Sequence, residues 1–170
     1  MSKARNITYL AMLFAVAIVL SFLESLLPPM PYLPPGFKLG LSNIATMYAL
    51  FFMGKSKAFI IAVLKSAFVF ATRGGMSFIL SLSGGIISLC VMILLSYLFK
   101  DKISYLLLSV SGAIFHNLGQ LLVLTLVMYN TYALWYTPVL LISGVIMGSV
   151  TGSLLRVVMP ALKGVSGGFK

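Results

Sequence analysis

The residues that could do chemistry in this chain are few, and they stand inside apolar stretches. The segment GAIFHNLGQL, 112–121, sets His116 and Gln120 four residues apart on one helical face, with Asn117 beside them. Gly112 and Gly119 leave space along the same segment. Lys65 sits in the middle of the apolar run 57–73, and Arg73 closes that run. Glu24, Lys38 and Asn43 lie near the same level at the ends of two other runs. Three cations facing one carboxylate would make a net positive pocket, which suits a carboxylate, a phosphate or another strongly hydrogen-bonding solute. Tyr32, Phe37, Tyr48 and Trp135 are candidates for an apolar wall or, equally, for an interfacial aromatic belt. Structural roles remain open for each polar member. Lys38 and Arg73 can snorkel to headgroups, Glu24 can neutralise either of them, and the His116, Asn117 and Gln120 group can serve as interhelical glue.

Catalysis and metal binding find little support in the residue inventory. The 170 residues contain two acids, Glu24 and Asp101, and one cysteine, Cys90. A lone cysteine excludes an intramolecular disulfide and any cysteine-based zinc or iron–sulfur centre. No catalytic residue, metal ligand or cofactor is expected.

The elements that must position these groups are membrane helices. The chain is 61% hydrophobic and 8% charged, with a mean hydropathy of +1.11, outside the soluble range. Crossing about 30 Å of hydrocarbon takes roughly 20 residues of helix. Six apolar runs, 7–27, 39–53, 57–73, 76–99, 103–129 and 133–159, fit that requirement, the second and third being the shortest. The expected fold is all-α, a single six-helix transmembrane domain over 1–170. The first run is too long for a signal peptide and ends in Glu24 and prolines, so it is expected to be retained as a helix.

Charge orients this bundle. With the N-terminus cytoplasmic, Lys3, Arg5, Lys55, Lys57, Lys100, Lys102, Arg156, Lys163 and Lys170 fall inside, whereas only Lys38 and Arg73 fall outside. The positive-inside rule then places both termini in the cytoplasm. Attraction to anionic lipid explains the basic excess, and no nucleic-acid partner is needed. The loop 28–37 holds five of the seven prolines, interleaved with Met30, Tyr32 and Leu33. It cannot be helical, and should cover the outer mouth as a plug or as a lid. A short tail, 160–170, follows the last run.

Small residues at helical spacing mark close helix contacts. Gly144, Gly148 and Gly152 form a GxxxGxxxG run, and Ser77, Ser81 and Gly85 repeat the pattern more weakly. Ala11 and Ala15 place a further small pair in the first run.

PGFKLGLSNIATMYALFFMG, 35–54, together with GAIFHNLGQL resembles the Gx transporter family, whose members are also labelled heptaprenyl diphosphate synthase component I. That family is similar to the S components of energy-coupling factor transporters, and the resemblance covers nearly the whole chain. It implies a bacterial plasma-membrane subunit that captures a small solute outside, a quinone, isoprenoid or vitamin-like precursor among the options. It also implies docking on a transmembrane coupling subunit that carries two ATPases. Ala11 and Ala15 match the small-residue pattern by which S components meet that subunit, and the proline-rich loop stands where they have a gating loop.

The synthase label fails on chemistry, because prenyl diphosphate synthesis needs clustered aspartates to hold Mg²⁺ on the diphosphate. Glu24 and Asp101 are expected on opposite sides of the membrane. A non-enzymatic membrane partner of a flavin or quinone redox system, of the kind used in extracellular electron transfer, is the second reading. An autonomous secondary carrier lacks both an inverted repeat and an embedded coupling acid.

Overall fold

The computed structural model describes residues 3–26, 40–99, 103–128 and 131–165, with side chains over 6–26, 40–99, 103–127 and 134–157. The proline-rich loop 28–37, Lys38 and Asp101 therefore lie outside the described residues. The described chain is helical throughout, with no strand: α1 Lys3–Leu26, α2 Asn43–Phe52, α3 Lys55–Phe99, α4 Tyr105–Met128, a short 3-10 helix Thr131–Tyr136, and α5 Thr137–Val165. Four of these, α1, α3, α4 and α5, are long and apolar enough to cross a membrane. Their outward faces carry large apolar side chains such as Met12, Phe22, Phe70, Leu126 and Ile142, a surface that water would penalise and lipid accepts.

α3 is a hairpin. Gly74 has φ 82° and ψ 179°, a backbone region open essentially to glycine alone. Ser66 Oγ lies 3.3 Å from Ser81 Oγ, although fifteen residues of continuous helix would separate them by about 22 Å. Phe70 and Phe78 meet edge to face across the turn, ring centroids 5.7 Å apart. Segments 55–73 and 75–99 are thus antiparallel partners, and the reversal falls between the two apolar runs 57–73 and 76–99.

α2 is shorter than the run 39–53 suggests. Its ten residues rise only about 15 Å, because Gly40 to Ser42 form a turn in which the Asn43 N–H donates to the Gly40 carbonyl at 2.9 Å. This short helix is buried along most of its length, with Asn43, Ala45, Thr46, Met47 and Ala49 enclosed. Ala17 of α1, Ile61, Ala62, Leu89 and Met92 of α3, Leu108 of α4 and Leu155 of α5 complete the core around it. α1 is peripheral: it buries Ala17, Ser21 and Glu24 fully, a spacing of four and three that defines one helical stripe, and packs Leu10, Leu13 and Phe14 against the core while they stay partly buried.

The α4–α5 contact is the tightest. A Cβ on Gly148 would stand 2.5 Å from Val110 Cα, and one on Gly144 would stand 3.1 Å from Ile114 Cα. Ser109 and Thr151 share a buried 2.6 Å hydroxyl contact in the same seam. The helices alternate in direction, which creates two ends. Asn6, Lys57, Tyr105 and Arg156 lie toward one of them, and Glu24, Gly40 and Arg73 toward the other. The 3.0 Å hydrogen bond from Lys57 to Asn6 ties α1 to α3 at the first end.

Candidate functional site

Local backbone geometry builds the polar centre. Gly40, at φ 90°, sits between the end of α1 and the start of α2, and its N–H donates to a Glu24 carboxylate oxygen at 2.5 Å. A side chain at position 40 would also collide with its neighbours: a Cβ there would stand 2.9 Å from Asn43 Nδ2 and 3.5 Å from His116 Cδ2. Glycine lets these groups approach each other. One helical turn into α2, Asn43 Oδ1 accepts a 2.6 Å hydrogen bond from the Lys65 ammonium. Lys65 is only 2% exposed despite its charge.

His116 enters from α4, its ring held between Gly40 and Gly84. A Cβ on Gly84 would approach His116 Nδ1 to 2.8 Å, so α3 meets α4 at near backbone distance. Four elements thus bring Glu24, Gly40, Asn43, Lys65 and His116 into one buried cluster. Gln120, one turn beyond His116, is 1% exposed. The Nδ2 donor of Asn43 and the hydroxyls of Thr46 and Ser88 are buried with no hydrogen-bond partner among the described residues. A buried unsatisfied donor costs on the order of 1–3 kcal/mol, so this centre retains unused capacity to donate.

Other members of the expected site diverge. Asn117 turns to α5, where its Nδ2 donates to the Leu140 carbonyl at 2.9 Å and to Ser143 Oγ at 3.2 Å. It joins two helices there. Arg73 is half-buried at the tip of the α3 hairpin, about 12 Å beyond Lys65 along the helix. Trp135 is 82% exposed, so it forms no wall of the cluster, and Tyr32, Phe37 and Lys38 lie outside the described residues. Gly40, Thr46 and the Ser66–Ser81 pair were not singled out by sequence reasoning. The glycine in KLGLSN was the available signal, and it gains meaning only once Glu24 and His116 are known to flank it.

The cluster is closely packed. A cavity of about 10 Å³, bounded in part by Gly40, Asn43, Ser88, Ser109 and Thr151, has room for about one water molecule. A much larger cavity, about 810 Å³, lies at the opposite end of the bundle and is lined in part by Lys55, Tyr105 and Arg156.

This arrangement of apolar helices around a short buried helix has a solved counterpart. The fold is similar to that of the S component of a bacterial ECF transporter, with a TM-score of 0.57 and 22% identity over 95% of this chain and 94% of that one. By sequence, residues 13–158 match the profile of the family described as heptaprenyl diphosphate synthase component I, and the chain belongs to that family. No curated protein matches it in sequence.

Proposed function

We propose that the protein is the solute-binding subunit of an energy-coupled uptake transporter, capturing a small anionic solute at the Lys65 centre. The observation that carries this reading is Lys65 itself. A charged ammonium in mid-helix, 2% exposed and anchored to Asn43, is expensive at membrane depth and is retained where it serves binding or transport. Asn43 Nδ2 stands ready as a further donor, and His116 and Gln120 line the same side of α4. An anion held by Lys65, Asn43, His116 and Gln120 would receive charge-assisted hydrogen bonds in a low dielectric. Glu24 shapes the site by fixing Gly40, while Arg73 attracts anions at the mouth. Entry of the solute displaces side chains such as Met47 and Met92, which border the small cavity and whose unbranched chains repack readily.

In this reading the chain makes six traverses of a bacterial plasma membrane, the α3 hairpin supplying two and α2 a short one. Both termini are cytoplasmic, as the distribution of basic residues favours. A transmembrane coupling subunit with ATPase partners docks on α1 through Ala11 and Ala15, both exposed. The protein is a binder and not a prenyl synthase, since two carboxylate side chains in the whole chain cannot build the paired Mg²⁺ sites that diphosphate chemistry uses.

Native mass spectrometry of the purified protein should reveal a copurified anion. Lys65→Met, which keeps the length of the side chain and removes its charge, should abolish that adduct and lower solute uptake at least tenfold while the protein remains folded. An adduct and uptake that survive Lys65→Met and Asn43→Ala together would refute the assignment.

A further inference from the structure

The cavity of about 810 Å³ at the basic end takes no part in the proposed solute site, yet it falls within the roughly 300–1,000 Å³ typical of ligand pockets. Its floor is apolar, from Leu50, Ile93 and Leu106, and Phe51 meets Tyr105 edge to face at 5.0 Å in its wall. Lys55 and Arg156 line it, both exposed, and among the described residues no acidic side chain does. The N-termini of α3 and α4 also end there, and their backbone dipoles add to the positive potential. Cations above an apolar floor, at the end of membrane helices, match an anionic headgroup with the first part of its acyl chains.

We propose that this cavity is a binding site for an anionic membrane phospholipid, its phosphate held by Lys55 and Arg156 and its glycerol and proximal chains resting on Leu50, Phe51 and Leu106. A bound lipid would bridge the α2–α3 junction to α5 at Arg156, two regions distant in sequence. The site stands independently of which solute binds at Lys65.

The test is native mass spectrometry of the full chain, released from nanodiscs that contain equal amounts of phosphatidylglycerol and phosphatidylcholine with the same acyl chains. Phosphatidylglycerol should be retained in preference by about thirtyfold, the scale expected for two basic side chains near anionic lipid. Lys55→Gln with Arg156→Gln should remove the preference and leave the melting midpoint in zwitterionic detergent unchanged. Lys57→Gln serves as the control, because Lys57 shares the basic end but bonds Asn6 at 3.0 Å and does not line the cavity; the preference should survive it. Equal retention of both lipids would overturn the proposal. So would a preference indifferent to the double substitution, or one lost equally in Lys57→Gln, which would indicate a diffuse surface charge. Displacement of the retained lipid by micromolar farnesyl diphosphate would overturn it in favour of an isoprenoid occupant.

Discussion

Two stripes of small residues in this molecule carry the same signature and have opposite surroundings. Gly144, Gly148 and Gly152 on α5 are pressed against the backbone of α4 at Ile114, Val110 and Leu106. Ala11 and Ala15 on α1 are exposed, and α1 packs on the bundle through Leu10, Leu13, Phe14, Ala17, Ser21 and Glu24 instead. Ala17 is two positions from Ala15, about 200° around the helix, so the small pair faces away from the bundle. In lipid, small residues promote association because backbones can approach closely, without regard to whether the partner helix belongs to the same chain. The α5 stripe has found its partner within the fold. The α1 stripe is free to meet another subunit.

The largest effect should come from filling the occupied stripe. In Gly148→Val the first added carbon would overlap Val110 Cα, at 2.5 Å, and crowd the Val110 nitrogen at 3.0 Å and the Ser109 carbonyl at 3.1 Å. These are backbone atoms, so no rotamer change relieves the clash and the two helices must part. A loss at or above the roughly 1–3 kcal/mol typical of overpacking should appear as a sharp fall in monodisperse yield and melting midpoint. Wild-type stability in this variant would mean that the seam is loose and the contrast between the stripes unreal.

Gly74→Ala separates space from backbone conformation, the two reasons for which a glycine resists replacement. Nothing lies within 4 Å of a Cβ at Gly74, so its whole penalty is the strained φ, on the order of 1–3 kcal/mol. The expected result is a smaller fall in melting midpoint than for Gly148→Val, accompanied by protection changes in amide exchange at 70–78, around the hairpin tip. An unchanged midpoint would show that the turn tolerates another conformation.

Sequence patterns conveyed the helical class and the course of the helices because apolar periodicity is local. They also set the boundary between 57–73 and 76–99, since Arg73, Gly74 and Gly75 interrupt that run. The shortness of α2 was hidden, because the residues preceding Asn43 are apolar enough to read as helix while Gly40 in fact turns the chain. At the candidate site, single-residue cost pointed to Glu24, Asn43, Lys65, His116 and Gln120, but not to which of them meet. Lys65 meets Asn43 across 22 positions, a pairing that depends on how α2 lies against α3. His116 and Asn117 are adjacent in sequence and look similar in kind, yet about 100° of helix rotation sends one to α3 and the other to Leu140 and Ser143 of α5. Lys55 and Arg156 read individually as ordinary basic flanks. Only the tertiary fold places them at one cavity.

The open stripe gives the smallest effect on the fold and the most specific one on assembly. Ala11 and Ala15 have exposed side chains, with Met12 and Val16 exposed beside them. Added methylenes in Ala11→Leu or Ala15→Leu would therefore extend into lipid, where a leucine is as much at home as an acyl chain, and the stability of the isolated protein should stay within about 0.5 kcal/mol of wild type, with its melting midpoint little changed. A helix from a coupling subunit, however, would be held off by the larger side chains, because close approach of backbones is what such an interface depends on. Co-purification with a coupling subunit should fall at least tenfold in the double variant, while the Lys65-dependent adduct persists in the isolated protein. If co-purification is unaffected, α1 does not dock through this stripe, and its small residues differ from those of α5 only in having no partner. If the isolated protein instead melts early, Ala11 and Ala15 support the bundle after all, and the two stripes are alike.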